Sequence, residues 1–156
     1  MAERRAWLEW TRLSEAWYDQ LHQPPYGDRA ITLKATGALI GALGYVPQLM
    51  PFEQLAEWGG VLPAQARFTP EVGLFWAIAP EHQRRGYASE AARAMIDHAF
   101  ETLRLKRLTA TTDYGNLASQ GVMRRVGMRL LRNPWPEPHW FQVVGVLAQP
   151  DLAHGQ

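Results

Sequence analysis

The most constraining feature of this sequence is an apolar strand pattern that runs through a glycine turn into a long amphipathic helix. Alternating large side chains over positions 72–79 predict a strand, which Pro80 ends. Apolar residues then recur at helical spacing on one continuous face: Ala88, Ala91, Ala92, Met95, Ile96, Ala99, Phe100 and Leu103. Because both elements must bury an apolar side, they predict a helix layer against a sheet.

The rest of the chain predicts further strands and helices in a simple order. Helices are expected at residues 2–21, 88–103 and 116–126, with a short one at 52–58. Strands are expected at residues 30–34, 38–46, 72–79, 107–112, 128–132 and 140–148. The resulting order, α-β-β-loop-β-α-β-α-β-β, predicts a single α/β domain over residues 1–156 with a mixed sheet.

The opening helix carries a stripe of large apolar residues. Trp10, Leu13, Trp17 and Leu21 recur at helical spacing, with Ala6 on the same side. Large aromatic residues are most often part of a packed core. The stripe is therefore expected to pack against the sheet rather than to recognise a ligand.

Composition excludes several classes of protein. Sixteen basic and fifteen acidic side chains give a net charge of +1, so no overall field favours a nucleic acid or a membrane as partner. The absence of Cys excludes disulfides, thiolate catalysis and Cys-based metal sites, and the five His residues lack metal-ligand spacing. No apolar run approaches the ~20 residues of a membrane span. These features favour a cytoplasmic protein without a metal.

One segment at the strand-to-helix turn has the composition of an anion site. A glycine there lets backbone N–H groups converge, and a helix N-terminus adds about half a positive charge. Two adjacent arginines would strengthen such a site for a phosphate or pyrophosphate. A helix start with solvated arginines explains the same residues equally well. The segment is Gln83, Arg84, Arg85, Gly86, Tyr87 and Ala88.

Four segments in order resemble a known family. They are residues 71–80, 81–92, 108–119 and 122–128. The second segment matches the Q/R-x-x-G-x-G/A signature, with Ala88 in the last position, and Asn116 with Ser119 matches a second motif. Together they resemble the GNAT acetyltransferase superfamily, and more narrowly the branch that acetylates the N-termini of ribosomal proteins.

The resemblance implies a particular fold. The sheet would be mixed and mostly antiparallel, flanked by helices, with a parallel strand pair that splays apart. That pair would be the strand ending at Ile78 and the strand over residues 107–112. The family's first strand is expected to be absent, since the chain begins with the helix that usually follows it. The exposed sheet edge left behind could be covered by a second copy, which predicts a homodimer.

The resemblance also implies acetyl-CoA as co-substrate and assigns residues to it. The pantetheine arm would bind backbone at Trp76, Ala77 and Ile78. The pyrophosphate would lie on the segment Gln83, Arg84, Arg85, Gly86, Tyr87 and Ala88. Asn116 would hold a pantetheine amide, and Ser119 would lie near the thioester sulfur, one helical turn beyond Asn116 on the same face.

Catalysis of amine acetylation would need two proton transfers. The leaving thiolate needs a proton or a hydrogen bond, for which Ser119 is the candidate. The attacking amine must lose a proton. Glu71 is the first candidate base, directly or through water, and Asp113, Glu137 and His139 are alternatives.

The acceptor is less constrained than the co-substrate. A protein N-terminus, an amino acid or a small amine would each supply the primary amine. Four aromatic residues are candidates for lining its pocket: Tyr26, Trp58, Trp135 and Trp140.

Three functions stay open at this point. The first is an acetyl-CoA-dependent N-acetyltransferase that transfers the acetyl group directly in a ternary complex. The second is a non-catalytic acyl-CoA-binding or regulatory module of the same fold. The third is a phosphate-binding protein, which needs the glycine turn but not Asn116.

Overall fold

The computed structural model describes residues 2–149, and over them it confirms the predicted order of helices and strands. The helices are α1 (Ala2–Trp17), α2 (Tyr87–Asp97) and α3 (Leu117–Arg125). The strands are β1 (Asp28–Thr32), β2 (Leu39–Met50), β3 (Thr69–Ile78), β4 (Arg107–Thr112), β5 (Arg129–Arg132) and β6 (Val143–Ala148).

Several element boundaries differ from those predicted. The first helix ends at Trp17, four residues early, and β2 continues to Met50 because it pairs with β3 along its whole second half. The helix expected at 52–58 is instead two 3₁₀ turns, Phe52–Gln54 and Ala56–Trp58. After α2 the chain continues in a π-helical turn, His98–Thr102.

The six strands form one sheet in the order β1-β2-β3-β4-β6-β5. Every neighbouring pair is antiparallel except β3 and β4, which are parallel. This arrangement confirms the expected mixed, mostly antiparallel sheet.

The parallel strands β3 and β4 are joined at one position and separate beyond it. Gly73 and Thr109 are the residues in ladder register over the described part of both strands. Beside them, the Thr109 hydroxyl donates to the Val72 carbonyl at 3.3 Å. Toward Ile78 and Thr112 the two strands leave a gap in the sheet, as expected for a splayed pair.

The sheet buries a different apolar cluster on each face. On one face, Leu74 and Leu108 pack with Ala92 and Ile96 of α2 and with Met123 of α3. The other face is covered by a cluster from the long connection after β2 and from the C-terminal strands: Met50, Phe52, Leu55, Leu131, Phe141 and Val144. The predicted buried face of α2 is confirmed, since Ala92, Ile96 and Ala99 are all buried.

The prediction for the opening helix is wrong. Trp10, Leu13 and Trp17 are 49%, 50% and 57% exposed, and Leu21 is exposed as well. The helix contacts the sheet through a neighbouring face instead, and Tyr18, directly after the end of α1, is buried.

Polar contacts to the start of β1 decide which face of α1 is covered. Asp28 accepts hydrogen bonds from Trp7 Nε1 at 2.5 Å and from Thr11 Oγ1 at 3.0 Å. The Trp7 ring meets Phe75 edge to face, with 5.7 Å between centroids. Trp7, Thr11 and Tyr18 lie at i, i+4 and i+11, about 100° around the helix from the Trp10 stripe. The apolar spacing of α1 therefore could not predict which face is covered, because that depends on a carboxylate elsewhere in the chain.

Neither a membrane-spanning helix nor a metal-binding group of side chains is found within residues 2–149. None of the helices there combines the length and apolarity that crossing a bilayer requires. Over the same residues, no three His, Asp or Glu side chains are grouped so that they could hold a metal ion.

Tyr45 makes the stability of the fold depend on pH in the alkaline range. Its hydroxyl donates to the Met95 carbonyl, and burial raises the pKa of Tyr45 to about 12. The ordinary value of about 10 applies to the unfolded chain. Between these values the unfolded state has released the proton and the native state has not, so the free energy of unfolding falls as pH rises.

We expect Tyr45→Phe to lose less stability than the wild type between about pH 9 and about pH 11, because it has no phenol to titrate. Denaturant unfolding at both pH values measures the difference. Equal losses in the two proteins would show that Tyr45 does not control this dependence.

Candidate active site

A groove of about 880 Å³ lies where the carboxyl end of β3 meets the amino-terminal ends of α2 and α3. Every residue predicted to contact the co-substrate lines it except Arg85. Those lining residues are Trp76, Ala77, Ile78, Gln83, Arg84, Gly86, Tyr87, Ala88, Asn116 and Ser119. The structure thus brings together residues that are up to forty-three positions apart in the chain (Trp76 to Ser119).

The glycine turn has a backbone shape suited to an anion. Arg84 and Gly86 adopt left-handed conformations, with φ of 60° and 87°. A Cβ on Gly86 would meet no atom within 4 Å, so the backbone conformation, not lack of space, favours glycine here. Alternating right- and left-handed residues turn successive N–H groups toward one side, as in anion-binding nests.

The N–H groups of this turn are free to bind a ligand. Among the described residues, no carbonyl or side chain accepts from the backbone N–H of Arg84, Arg85 or Gly86. The first N–H groups of α2, which begins at Tyr87, have no carbonyl partner within the helix, as at the start of every α-helix. The turn is tied to the strand before it, because Gln83 Nε2 donates to the Ile78 carbonyl at 2.9 Å.

Two buried side-chain atoms in the groove have no hydrogen-bond partner within the described residues. Ser89 is only 4% exposed, and neither its Oγ nor Nδ1 of His82 is hydrogen-bonded within the described chain. Buried polar atoms are nearly always paired in native proteins. These orphaned atoms, with the free N–H groups nearby, fit a phosphate-bearing ligand. The sequence motifs did not indicate His82 or Ser89, although Ser89 follows the glycine turn by three residues.

Asn116 and Ser119 are linked at the start of α3. The Asn116 side-chain oxygen accepts from Ser119 N–H at 3.0 Å and so caps the helix. Asn116 N–H in turn donates to Asp113 Oδ1 at 2.8 Å. Ser119 lies one turn after Asn116, which is the N-cap of α3. The cap uses the amide oxygen of Asn116 and leaves its amide nitrogen as a hydrogen-bond donor.

Buried amides hold the junction of β4 and α3 against the proline-rich connection that follows β5. Gln120 Nε2 donates to the carbonyls of Asp113 and Tyr114, at 3.3 and 3.0 Å. Tyr114 N–H donates to Gln142 Oε1 at 2.8 Å, and its hydroxyl donates to the Asn133 carbonyl at 2.5 Å. The start of α3 is therefore fixed from two sides.

Asn133 anchors the same connection at its other end. The residue is fully buried, and its Nδ2 donates to Gln54 Oε1 at 2.7 Å. Its Oδ1 accepts from Trp135 N–H at 3.1 Å. No sequence motif indicated this network, because its members are 79 residues apart and have no characteristic spacing.

Glu71 lies outside the groove, toward the other end of β3. Its carboxylate accepts from Arg107 Nε at 2.7 Å and also from Arg107 Nη2. Glu71 is buried, and its hydrogen bonds raise the pKa of Arg107 against the opposing effect of desolvation. The Arg107 guanidinium also lies over the Phe52 ring, 5.2 Å from its centroid. Glu71 borders a separate cavity of about 650 Å³ beside Tyr45 and Leu103.

The other candidate bases are not grouped with Ser119 in the groove. Asp113 is engaged at the Asn116 turn, while Glu137 and His139 are exposed in the connection after β5. None of these three lines the groove.

The aromatic candidates are also dispersed. Tyr26 stacks near Tyr18 and borders the smaller cavity, whereas Trp58 packs on Phe52 and Trp140 on Phe141. The structure does not bring Tyr26, Trp58, Trp135 and Trp140 into one pocket.

Residues 1–129 match the acetyltransferase (GNAT) domain family, and the chain belongs to that family. YnaD of Bacillus subtilis, described as an uncharacterized N-acetyltransferase, is 43% identical over 61 residues, which are 39% of this chain and 35% of YnaD. The uncharacterized protein YkkB of the same organism is 27% identical over 143 residues, covering 87% of this chain and 67% of YkkB. The chain thus spans about a third of one relative and two thirds of the other.

Solved structures agree with this assignment. An acetyltransferase from Agrobacterium tumefaciens is 30% identical with a TM-score of 0.61, covering 86% of this chain and 66% of that one. Ribosomal-protein-S5-alanine acetyltransferase from Vibrio fischeri is 16% identical with a TM-score of 0.61, covering 89% and 69%, and shows a shared fold. The expected family and fold are confirmed.

Gly86→Ala should weaken acetyl-CoA binding about tenfold, because an L-residue resists the left-handed conformation and would displace the N–H groups of the turn. Isothermal titration measures the affinity. The strain should also cost about 1 kcal/mol of stability.

Gly37→Ala is a matched control. Gly37 has a φ of 71°, a Cβ added to it would meet no atom within 4 Å, and it lies in the β1–β2 turn away from the groove. The variant should lose similar stability and keep its acetyl-CoA affinity. Equal acetyl-CoA affinities in Gly86→Ala and Gly37→Ala would show that the glycine turn is not part of the binding site.

Proposed function

We propose that the chain is an acetyl-CoA-dependent N-acetyltransferase that transfers the acetyl group directly to a primary amine in a ternary complex. The observation that carries the proposal is one groove shared by the open end of β3, the glycine turn and the Asn116–Ser119 pair. Membership of the GNAT family supports it.

The glycine turn would hold the pyrophosphate. Free N–H groups from Arg84 to Ala88 and the positive end of α2 favour a dianionic group, and Arg84 and Arg85 add mobile charge. His82 and Ser89 would hydrogen-bond to the same ligand through their unpaired atoms, Nδ1 and Oγ. Each of these features stabilises the bound anion without any chemical role.

The open edge of β3 would hold the pantetheine arm. Alternate residues of a strand direct N–H and C=O toward each edge, and β3 has no ladder partner on the β4 side beyond Gly73 in the described strands. Backbone groups over Trp76 to Ile78 on that side are therefore available for the amides of the arm, apart from the Ile78 carbonyl, which accepts from Gln83 Nε2. The free amide nitrogen of Asn116 would donate to one of its carbonyls.

Ser119 would assist departure of the thiolate. When bound, acetyl-CoA supplies the thioester carbonyl that an amine can attack. Ser119 is in the first turn of α3, where the helix dipole favours negative charge. Its hydroxyl would donate to the sulfur as charge develops there, and an N–H of β3 would stabilise charge on the carbonyl oxygen.

Glu71 would accept the proton of the amine through a water molecule. Because both carboxylate oxygens of Glu71 accept hydrogen bonds from Arg107, direct contact with the amine is less favourable than contact through water. Glu71 nevertheless precedes Gly73 by two residues on the same face of β3, and so lies next to the point where the gap opens.

The test is release of free CoA from acetyl-CoA across a panel of primary amines. We expect activity in the wild type and a loss of about 100-fold in kcat for Ser119→Ala, because positioned proton donors contribute at least that much. Acetyl-CoA affinity should be almost unchanged in this variant.

Ser14→Ala provides the control, since Ser14 is in α1 and outside the groove. Its kcat should equal that of the wild type. If acetyl-CoA raises the melting temperature while no amine is acetylated, the chain is a binding module and not an enzyme. If it does not raise the melting temperature, the co-substrate assignment is wrong.

Glu71→Gln should reduce kcat/KM for the amine about tenfold or more near neutral pH. The deficit should shrink as pH rises toward about 10.4, where about half of a simple primary amine is already deprotonated. Rates are compared over that pH range at saturating acetyl-CoA.

Glu57→Gln is the matched control, because Glu57 also forms an ion pair, with Arg129, but on the surface. It should behave as the wild type. A deficit in Glu71→Gln that is equally large at every pH would mean that Glu71 acts through its ion pair alone.

A further inference from the structure

Gln48 in β2 has a buried side-chain oxygen without a partner. No donor within the described residues reaches its Oε1. The amide lies against Gly73, where a Cβ would come within 2.8 Å of both Cδ and Oε1 of Gln48. A buried, unpaired amide oxygen lowers the stability of the fold. A ligand that donates to this oxygen would remove that cost.

The amide of Gln48 lies at the point where the sheet opens. Gly73 is the residue of β3 in register with Thr109, and beyond this pair β3 and β4 separate. Gln48 is itself in register with Glu71. A group that passes through the gap from the groove would therefore emerge beside the Gln48 amide.

Gln48 occupies the face of the sheet opposite α2. Side chains alternate along β3, so Gly73 and Phe75 share one face while Leu74 packs on α2 from the other. Trp7 of α1 contacts Phe75 on that opposite face. The groove and Gln48 are thus on two sides of one gap.

The surroundings of Gln48 combine aromatic rings with carboxylates that already have protein partners. Glu71 is paired with Arg107, and the rings of Phe75 and Trp7 lie further along the same face. Asp28, beside those rings, already accepts hydrogen bonds from Trp7 and Thr11, so a polycation would find no carboxylate without a protein partner among these residues. An amine on an apolar body would find one amide oxygen and two aromatic rings.

We infer that Gln48 binds the acceptor, its amide oxygen accepting an N–H of the amine, and that the acceptor is a primary amine on an apolar or aromatic body. This inference rests on the proposed function, since that function brings an amine to the gap. Gln48 is a binding residue and takes no part in proton transfer.

The test compares Gln48→Leu with the wild type, using phenethylamine as the probe and protein saturated with CoA. We expect phenethylamine binding to weaken about tenfold, the size expected for one lost hydrogen bond to a charged group. KM for phenethylamine should rise by the same factor, with little change in kcat or in acetyl-CoA affinity.

The melting temperature of Gln48→Leu is a second measurement, and it distinguishes a binding role from a purely structural one. Removing an unpaired buried oxygen should raise the melting temperature of Gln48→Leu by about 2–4 °C. A structural glutamine would lose stability when replaced. Gln48→Asn, which keeps the amide but shortens its reach, should also bind phenethylamine more weakly.

Gln65→Leu is the control, because Gln65 is exposed in the 3₁₀ turn Pro63–Gln65. It should match the wild type in amine affinity. Unchanged phenethylamine affinity in Gln48→Leu would overturn the inference, and tighter binding of putrescine than of phenethylamine to the wild type would overturn the assigned acceptor class.

The two proposals fail in different ways. If Gln48→Leu binds phenethylamine as the wild type does while the wild type acetylates it, the inference fails and the proposed function stands. If the wild type binds phenethylamine through Gln48 but releases no CoA with any amine, the proposed function fails and the binding role stands. If the wild type binds no amine, both fail.

Discussion

The separation of β3 from β4 is the constraint on which the rest of the structure depends. A sheet normally satisfies each backbone group by pairing, and Gly73 with Thr109 is where this pair of strands is joined. Beyond it, β3 has N–H and C=O groups that require another partner. Both α2 and α3 begin beside this open edge and line the same groove, and the first N–H groups of α2 have no partner within the helix. The proposed ligand, with amides at one end and a pyrophosphate at the other, would satisfy the open edge of β3 and the start of α2 together.

The gap is useful only if its surroundings are rigid, and buried amides provide that rigidity. Gln120 and Gln142 hold the junction of β4 and α3, and Asn133 ties the connection after β5 to Gln54. The three amide side chains are buried, so leaving any one of them unpaired would cost about 1–3 kcal/mol. The start of α3, and with it Ser119, is therefore held by a network rather than by helix propensity.

The order of elements could be predicted from the sequence, because apolar periodicity reports local burial directly. The buried face of α2 and the residues of the groove followed from that pattern and from two short motifs. What could not be predicted depends on contacts between distant residues. The exposed Trp10 stripe results from Asp28 binding the neighbouring face of α1, and the pairing of Glu71 results from Arg107 on the parallel strand. Neither partner has a fixed spacing from the residue that it binds.

The buried side-chain atoms without partners indicate where the structure is completed by something else. Within the described residues they belong to Gln48, His82, Ser89 and Trp135. His82 and Ser89 line the groove, and Gln48 lies at the opening of the gap on the opposite face. The apolar clusters that stabilise the sheet contain none of these atoms. Three of the four unpaired atoms thus lie beside one opening, on both of its sides, where the two proposed ligands would meet.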